Sequence, residues 1–250
     1  MKIGIIGLGL IGGSIYRDLQ QLDYDVVAVS QSQNGSNVYK NFEILKTCDL
    51  VFVCSPMNKT LDILDKLENI LSPNTIVSDV CSLKTFVSKK KRPYKFIPSH
   101  PMAGTEHQGF EKSMSGLFKG KKWVITPVFG EDGTLIDIIR ELGAEPIITT
   151  PEKHDEAAAL ISHMPMLIAQ AIFKTAEDNE LALQMASSGF RDMTRLAMSN
   201  VEMANDMILM NSENIQTSIL KLYKSIGDLT NSNYLPQIKE IKSKRQTMFL

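Results

Sequence analysis

The chain has 250 residues, 43% of them hydrophobic, and its 27 basic and 28 acidic side chains leave a formal net charge of -1. That balance excludes bulk electrostatic attraction to nucleic acid or an anionic membrane, so specificity has to come from local sites. The length suits one large domain or two modest ones with an adequate core, and the three cysteines, Cys48, Cys54 and Cys81, lack metal-ligand spacing and read as small core-filling residues.

The chain enters a predicted strand at Lys2 to Ile6, which leaves no room for the regions of a signal peptide, so a cytoplasmic location is expected. Gly7-Leu8-Gly9-Leu10-Ile11-Gly12 follows at once and opens an amphipathic helix over Leu10 to Leu22. In that setting the pattern reads as a dinucleotide-binding turn. Gly7 permits the turn, Gly9 admits the pyrophosphate, Gly12 lets helix and strand pack closely, and the N-H groups at Leu10 and Ile11 face the anion. The second strand, Asp25 to Val29, runs into Ser30-Gln31-Ser32. An NAD-selective site usually places an acid there to hold the ribose hydroxyls. None is present, so the cofactor preference leans to NADP, through hydrogen bonds from Ser30, Gln31 and Ser32 and without an arginine.

Further strands are predicted at Leu50 to Cys54, Thr75 to Val80, Lys95 to Pro98, Lys122 to Thr126 and Glu145 to Ile148, with helices at Asn58 to Leu71 and Thr134 to Leu142. The alternation is that of a parallel sheet built from βαβ units. Ligands of such sheets bind beyond the carboxyl ends of the strands. Three polar segments fall there: Cys54-Ser55-Pro56, Ser78 to Thr85, and Ser99 to Thr105 with His100. Taken alone, His100 is an ordinary loop histidine. From Pro151 onward only helical periodicity remains, rich in Ala, Leu, Met and Ile. The expected fold is therefore an α/β Rossmann-type dinucleotide-binding domain over residues 1–150 followed by an all-α domain over residues 151–250. The apolar stretch from Ala157 to Phe173 is interrupted by polar residues and reads as a buried helix, broken or kinked at Pro165. His154 beside Asp155, His107, and the basic runs Lys89 to Arg92 and Lys119 to Lys122 read as solvated surface, as does the charged tail.

The blocks Asp79-Val80-Cys81-Ser82-Leu83-Lys84-Thr85, Ser99-His100-Pro101-Met102-Ala103-Gly104-Thr105, Ile161-Ser162-His163-Met164-Pro165 and Gly189-Phe190-Arg191-Asp192-Met193-Thr194-Arg195 resemble, in order and spacing, the prephenate/arogenate dehydrogenase family. The resemblance runs over essentially the whole chain and is strongest to the cyanobacterial type, which carries neither a mutase nor a regulatory domain. It implies oxidative decarboxylation of a cyclohexadienol to a phenol, with His100 as the base at the C4 hydroxyl and Ser82 orienting it. It further implies Arg195 on the ring carboxylate, His163 as a second histidine from the helical domain, Thr105 in the pocket wall, and homodimerisation through the helices. Without the resemblance, Arg191, Asp192 and Arg195 form a solvated helix turn.

Glu106 follows Thr105 in the same loop. An acid there would favour arogenate, whose side chain carries an ammonium, over prephenate, whose side chain carries a keto group; a solvated or gating role is the other reading. A β-hydroxyacid dehydrogenase or a pyrroline carboxylate reductase would share this architecture but place its catalyst in the second domain. A non-enzymatic NAD(P) sensor would leave His100, Ser82 and Arg195 without a common purpose.

Overall fold

A computed structural model describes residues 1–105, 107–231 and 234–248. Strands β1 (Lys2–Ile6), β2 (Asp25–Val29), β3 (Val38–Tyr39), β4 (Leu50–Val53), β5 (Ile76–Asp79) and β6 (Lys95–Phe96) form a parallel sheet in the order β3-β2-β1-β4-β5-β6. The runs Leu-Val-Phe-Val in β4 and Ile-Val-Ser-Asp in β5 are buried throughout, as a parallel sheet covered on both faces requires. Alternate residues serve the two faces. Ile3, Ile5, Val26, Ala28, Leu50 and Phe52 pack with Ile15 and Leu19 of α1 (Leu10–Gln21) and Leu135, Ile138 and Ile139 of α3 (Gly133–Glu141). Ile6, Val27, Val29, Val51, Val53 and Val77 pack with Leu64 and Leu67 of α2 (Met57–Leu67).

The chain does not remain in one sheet. β7 (Ser99–Pro101), β8 (Lys122–Ile125) and β9 (Glu145–Ile148) form a separate three-stranded sheet in which β7 is antiparallel to β8. β6 pairs with β5 at only two positions before Pro98, which has no N-H to continue the ladder. Pro101 is tolerated because β7 lies at the edge of its sheet. His100 therefore sits on a short strand and not on a loop. Arg92 also departs from the solvated reading: it is buried and paired with Asp65 of α2 and with Glu68 just beyond that helix.

Beyond β9 the described chain is helical: α4 (Pro151–Ala158), α5 (Met164–Ala176), α6 (Glu180–Gln184), α7 (Ser188–Thr194), α8 (Val201–Met210), α9 (Ser212–Asn231) and α10 (Tyr234–Met248). Thr150 accepts a hydrogen bond from Lys153 N, and Pro151 occupies the first turn of α4, where a missing N-H costs nothing. Pro165 does not break the helix. A π-helical turn at Ala159–His163 joins α4 to α5, and Pro165 falls in the first turn of α5. The widened turn absorbs the irregularity that the proline imposes, and such turns commonly mark functional sites.

The reading of this segment as a buried helix needs correction. The run Pro151–Ala176 is long and apolar enough to cross a membrane by length and composition, and only 28% of its apolar window is buried. Its inner face is nonetheless committed to the first domain. Met57, Cys81 and Leu83 from the sheet domain share a buried cluster with Met166 of α5 and Ala204 and Met207 of α8. That seam holds the two halves together beside the cleft between them.

Candidate active site

The cleft follows from the strand order. The sheet's topological reversal lies between β1 and β4, so the loops leaving these neighbouring strands diverge and open a crevice at their carboxyl ends. A cavity of about 760 Å³ lies there, lined by Gly9, Leu10, Ile11 and Gly12 after β1 and by Cys54, Ser55 and Pro56 after β4. Gly7 has φ +90, and a Cβ on it would stand 2.4 Å from the Cys54 carbonyl oxygen. A Cβ on Gly12 would stand 2.0 Å from the Gly7 carbonyl oxygen, whereas one on Gly9 would meet nothing within 4 Å. Two glycines thus close the turn and the third leaves the space above it open. α1 begins there without a side-chain cap or an acidic residue in its first turn. These features fit a pyrophosphate held on helix N-H groups.

Ser30, Gln31 and Ser32 follow β2 and are not part of this cavity's lining; Ser30 is buried and its Oγ accepts a hydrogen bond from Gln33 N at 3.1 Å. Gln31 and Ser32 are exposed. Lys40 donates from Nζ to the carbonyl oxygens of Ser30, Gln31 and Gln33 at 3.0, 3.1 and 2.7 Å. The short pairing of β3 with β2 brings this cation beside the loop. A two-residue edge strand carries no sequence signal, so Lys40 could not be anticipated.

His100, Ser82, Thr105 and Arg195 line the same cleft. His100 is held by a buried frame. Lys84, fully buried, pairs with Asp79 and donates to the Ser99 carbonyl oxygen at 2.6 Å. Trp123 Nε1 donates to Ser99 Oγ at 2.9 Å, and that hydroxyl donates to the Asp79 carbonyl oxygen at 3.0 Å. Position 99 is thereby fixed on both sides of the chain, and the adjacent imidazole with it.

The Nδ1 atom of His100 lies 2.9 Å from His154 Nε2, and His154 Nδ1 lies 2.7 Å from Asp155 Oδ1. The Asp155 carboxylate also accepts from the N-H groups of Lys84 at 2.8 Å and Thr85 at 2.9 Å. Burial would raise its carboxyl, but the bonds from His154, Thr85 and Lys84 outweigh that and hold it below its usual range. An ionised carboxylate only accepts, so His154 turns its Nδ1–H toward Asp155, and in the neutral ring Nε2 is then the acceptor. His100 must then donate from Nδ1, which leaves the Nε2 lone pair available. Burial first, then His154, Lys84 and His163, push His100 well below its usual value, so the ring is neutral. The arrangement presents a neutral imidazole nitrogen as a base.

His154 and Asp155, expected at the surface, are both buried. Their contacts reach across 54 and 71 residues of sequence and have no local signature. His154 is the hydrogen-bond partner of His100 Nδ1, and Ser82 lines the same cleft. His163 lies behind that wall, nearly fully buried, where Asn211 Nδ2 donates to its Nδ1 at 3.1 Å and to the Asp155 carbonyl oxygen at 2.9 Å. Burial lowers His163 to about 4, so it too is neutral. Its neighbours Ile161 and Ser162 line the cleft in its place. Arg191 is exposed and reaches Asp192 at 3.5 Å, while His107 lies at the cleft rim. Glu106 lies outside the described residues. Two acids that had not been singled out, Glu202 and Asp206 of α8, line the cleft one helical turn apart.

The family model for the prephenate dehydrogenase nucleotide-binding domain matches residues 21–160, and that for the prephenate dehydrogenase dimerization domain matches residues 150–235. Prephenate dehydrogenase of Lactococcus lactis is 27% identical over 85% of this chain, which spans 65% of that protein's length. The crystal structure of Synechocystis arogenate dehydrogenase superposes with a TM-score of 0.84 at 30% identity, covering 99% of this chain and all of that one. Prephenate dehydrogenase from A. aeolicus, solved with hydroxyphenyl propionate and NAD+, superposes with a TM-score of 0.87 at 27% identity over 99% and 98% of the two chains. With a doubly wound nucleotide domain, a helical partner domain and a histidine-centred cleft between them, the chain belongs to the prephenate dehydrogenase family.

Proposed function

We propose that this protein oxidatively decarboxylates arogenate to tyrosine with NADP as oxidant. Residues 1–150 hold the dinucleotide, and residues 151–250 complete the substrate pocket. The observation that carries the reading is the convergence, in one cleft, of a neutral imidazole with a free Nε2, a glycine-lined helix terminus and the guanidinium of Arg195. A bound dinucleotide would supply the hydride acceptor for C4 of the ring; Gly7, Gly9 and Gly12 with the N-H groups of Leu10 and Ile11 would hold its pyrophosphate, flanked by Ser55 and Pro56. His100 accepts the C4 hydroxyl proton as the carbonyl forms. Ser82 and Thr105 border the reacting ring, and Arg195 grips its carboxylate as a planar fork. That grip orients the ring and leaves decarboxylation to the drive toward aromaticity.

NADP is favoured over NAD by the absence of an acid at Ser30-Gln31-Ser32 and by the charge of Lys40 on that loop. Arogenate is favoured over prephenate by Glu202 and Asp206, whose carboxylates complement an ammonium group, and by the full-length likeness to the Synechocystis enzyme. Prephenate is the second reading, because it is the substrate named for the Lactococcus and A. aeolicus relatives. A homodimer through the helices would cover Leu181, Met185, Met198, Leu220 and Tyr223, all at least 64% exposed in the single chain.

Four assays, arogenate and prephenate each with NADP and NAD, test the proposal. Arogenate with NADP is expected to give the highest kcat/KM, by about tenfold or more, the ratio that 1.4 kcal/mol of differential transition-state binding produces. A higher value with prephenate would transfer the assignment to the second reading, and turnover of neither substrate would overturn both.

Arg195 has its own test. Arg195→Gln keeps a hydrogen-bonding side chain but removes the charge and the fork, so KM for the cyclohexadienol should rise about 10- to 100-fold, the loss of one charge-assisted contact. An unchanged KM would return Arg195 to a solvated helix turn.

A further inference from the structure

We propose that His154 and Asp155 form, with His100, a buried relay that stores the substrate's hydroxyl proton during the reaction and returns it to the product. The inference rests on His100 being the base, and it assigns a task to two residues that the substrate does not reach.

Overall the reaction releases no proton. As the hydride leaves C4, the carbinol is oxidised and the nicotinamide reduced, and the hydroxyl gives up its proton as the C=O bond forms. The C1–carboxylate bond then breaks, carbon dioxide departs, and the bonding pair passes through the ring onto the C4 oxygen. That oxygen becomes a phenolate and takes one proton to finish as the phenol. One proton leaves the oxygen and one comes back. It needs a place to wait.

His100 alone is a poor place. Its ring is half-buried, and Lys84 faces it with a fully buried cation 2.6 Å from the Ser99 carbonyl oxygen next door. A charge left on His100 would be both desolvated and repelled. The 2.9 Å contact to His154 offers an exit. When Nε2 of His100 receives the hydroxyl proton, the Nδ1 proton can cross to His154 Nε2. The charge then resides on His154, whose Nδ1–H already points at Asp155 Oδ1, 2.7 Å away. Asp155 stays ionised on the N-H groups of Lys84 and Thr85 and faces the new cation at contact distance. The transfer carries charge from a repulsive environment to an attractive one and reverses when the phenolate forms. Lys84 with its partner Asp79, Asp155 and His163 face the pair from within the protein; Arg195, Glu202 and Asp206 face it from the cleft.

The tests are His154→Gln and a proton inventory on the wild-type enzyme. A glutamine can accept from His100 Nδ1 and donate toward Asp155, but it cannot hold a proton. We expect kcat to fall about 10- to 100-fold, below the full contribution of a general base, with KM for arogenate and for NADP within about twofold. The proton inventory of the variant should become linear, because only the hydroxyl proton then moves; a purely structural role would lower the rate and leave the shape of the inventory as in the wild type.

For the wild type, the single-turnover rate of hydride transfer in mixtures of light and heavy water should bow as two protons move together. A linear inventory for the wild type, an unchanged bowed one for His154→Gln, or full kcat in that variant would each overturn the relay. Should His100→Asn keep full turnover, the failure would lie with the assignment of the base.

Discussion

His100→Asn is expected to lower kcat by about 10² to 10⁴, the range that a positioned general base contributes. Asparagine is the informative replacement. Its amide can still donate to His154 Nε2, so the 2.9 Å contact that organises the wall has a successor. Missing is an atom that can take the hydroxyl proton. Since the glycine turn is built from β1, α1 and the Cys54 carbonyl, none of which His100 supports, affinity for NADP should change by less than about twofold. Steady-state kinetics with arogenate, together with fluorescence titration of NADP, separates the two effects. A variant with full turnover would refute the base. One that lost cofactor affinity and turnover together would show that β7 holds the fold of the crevice and has no specific share in the chemistry.

The parts of this site legible in the sequence are those whose chemistry is local. Gly7, Gly9 and Gly12 lie within six residues, directly between a strand and a helix, and their spacing is set by the turn itself. β1, β2 and β9 could be bounded to the residue, because uninterrupted apolar runs end at Gly, Ser or Thr. The remainder depends on contacts between distant segments. Asp155 meets Lys84 and Thr85 across the join between the two halves of the chain, and nothing in Lys153-His154-Asp155-Glu156 distinguishes it from a solvated helix turn. β7 is hidden for a similar reason. Its pairing with β8 joins positions 99 and 125, while Pro101 within it and Pro98 just before it argue locally for a loop. The exposed apolar positions of the helices cannot be recognised from composition either, since a core helix and an interface helix have the same residues and differ only in what covers them.

Lys84→Met should have the largest effect on stability. Lys84 and Asp79 are both fully buried, and the lysine ammonium is the cation that neutralises the aspartate. Removing one member of such a pair leaves the other charge in a medium that cannot solvate it, at a cost of about 3 to 5 kcal/mol. Asp79 has little in reserve. Its Oδ2 also accepts from Cys81 N at 3.0 Å, but its Oδ1 is buried with no hydrogen-bond partner. For a chain of this size that loss corresponds to a fall in Tm of about 6 to 20 °C. The double variant Asp79→Asn, Lys84→Met distinguishes an orphaned charge from a simple packing defect. With both charges gone the penalty should largely disappear, so the double variant should be more stable than the single one. Activity should not return with stability, because Lys84 Nζ also holds the Ser99 carbonyl oxygen and so fixes the strand that carries His100. Thermal melts of the three proteins and their kcat values at a temperature where all are folded decide the matter. If Lys84→Met melts within about 2 °C of wild type, less than the shift expected for 1 kcal/mol, the pair is not what holds this part of the site together. If the double variant regains both stability and kcat, the lysine serves the fold alone and His100 is positioned by Trp123 and His154.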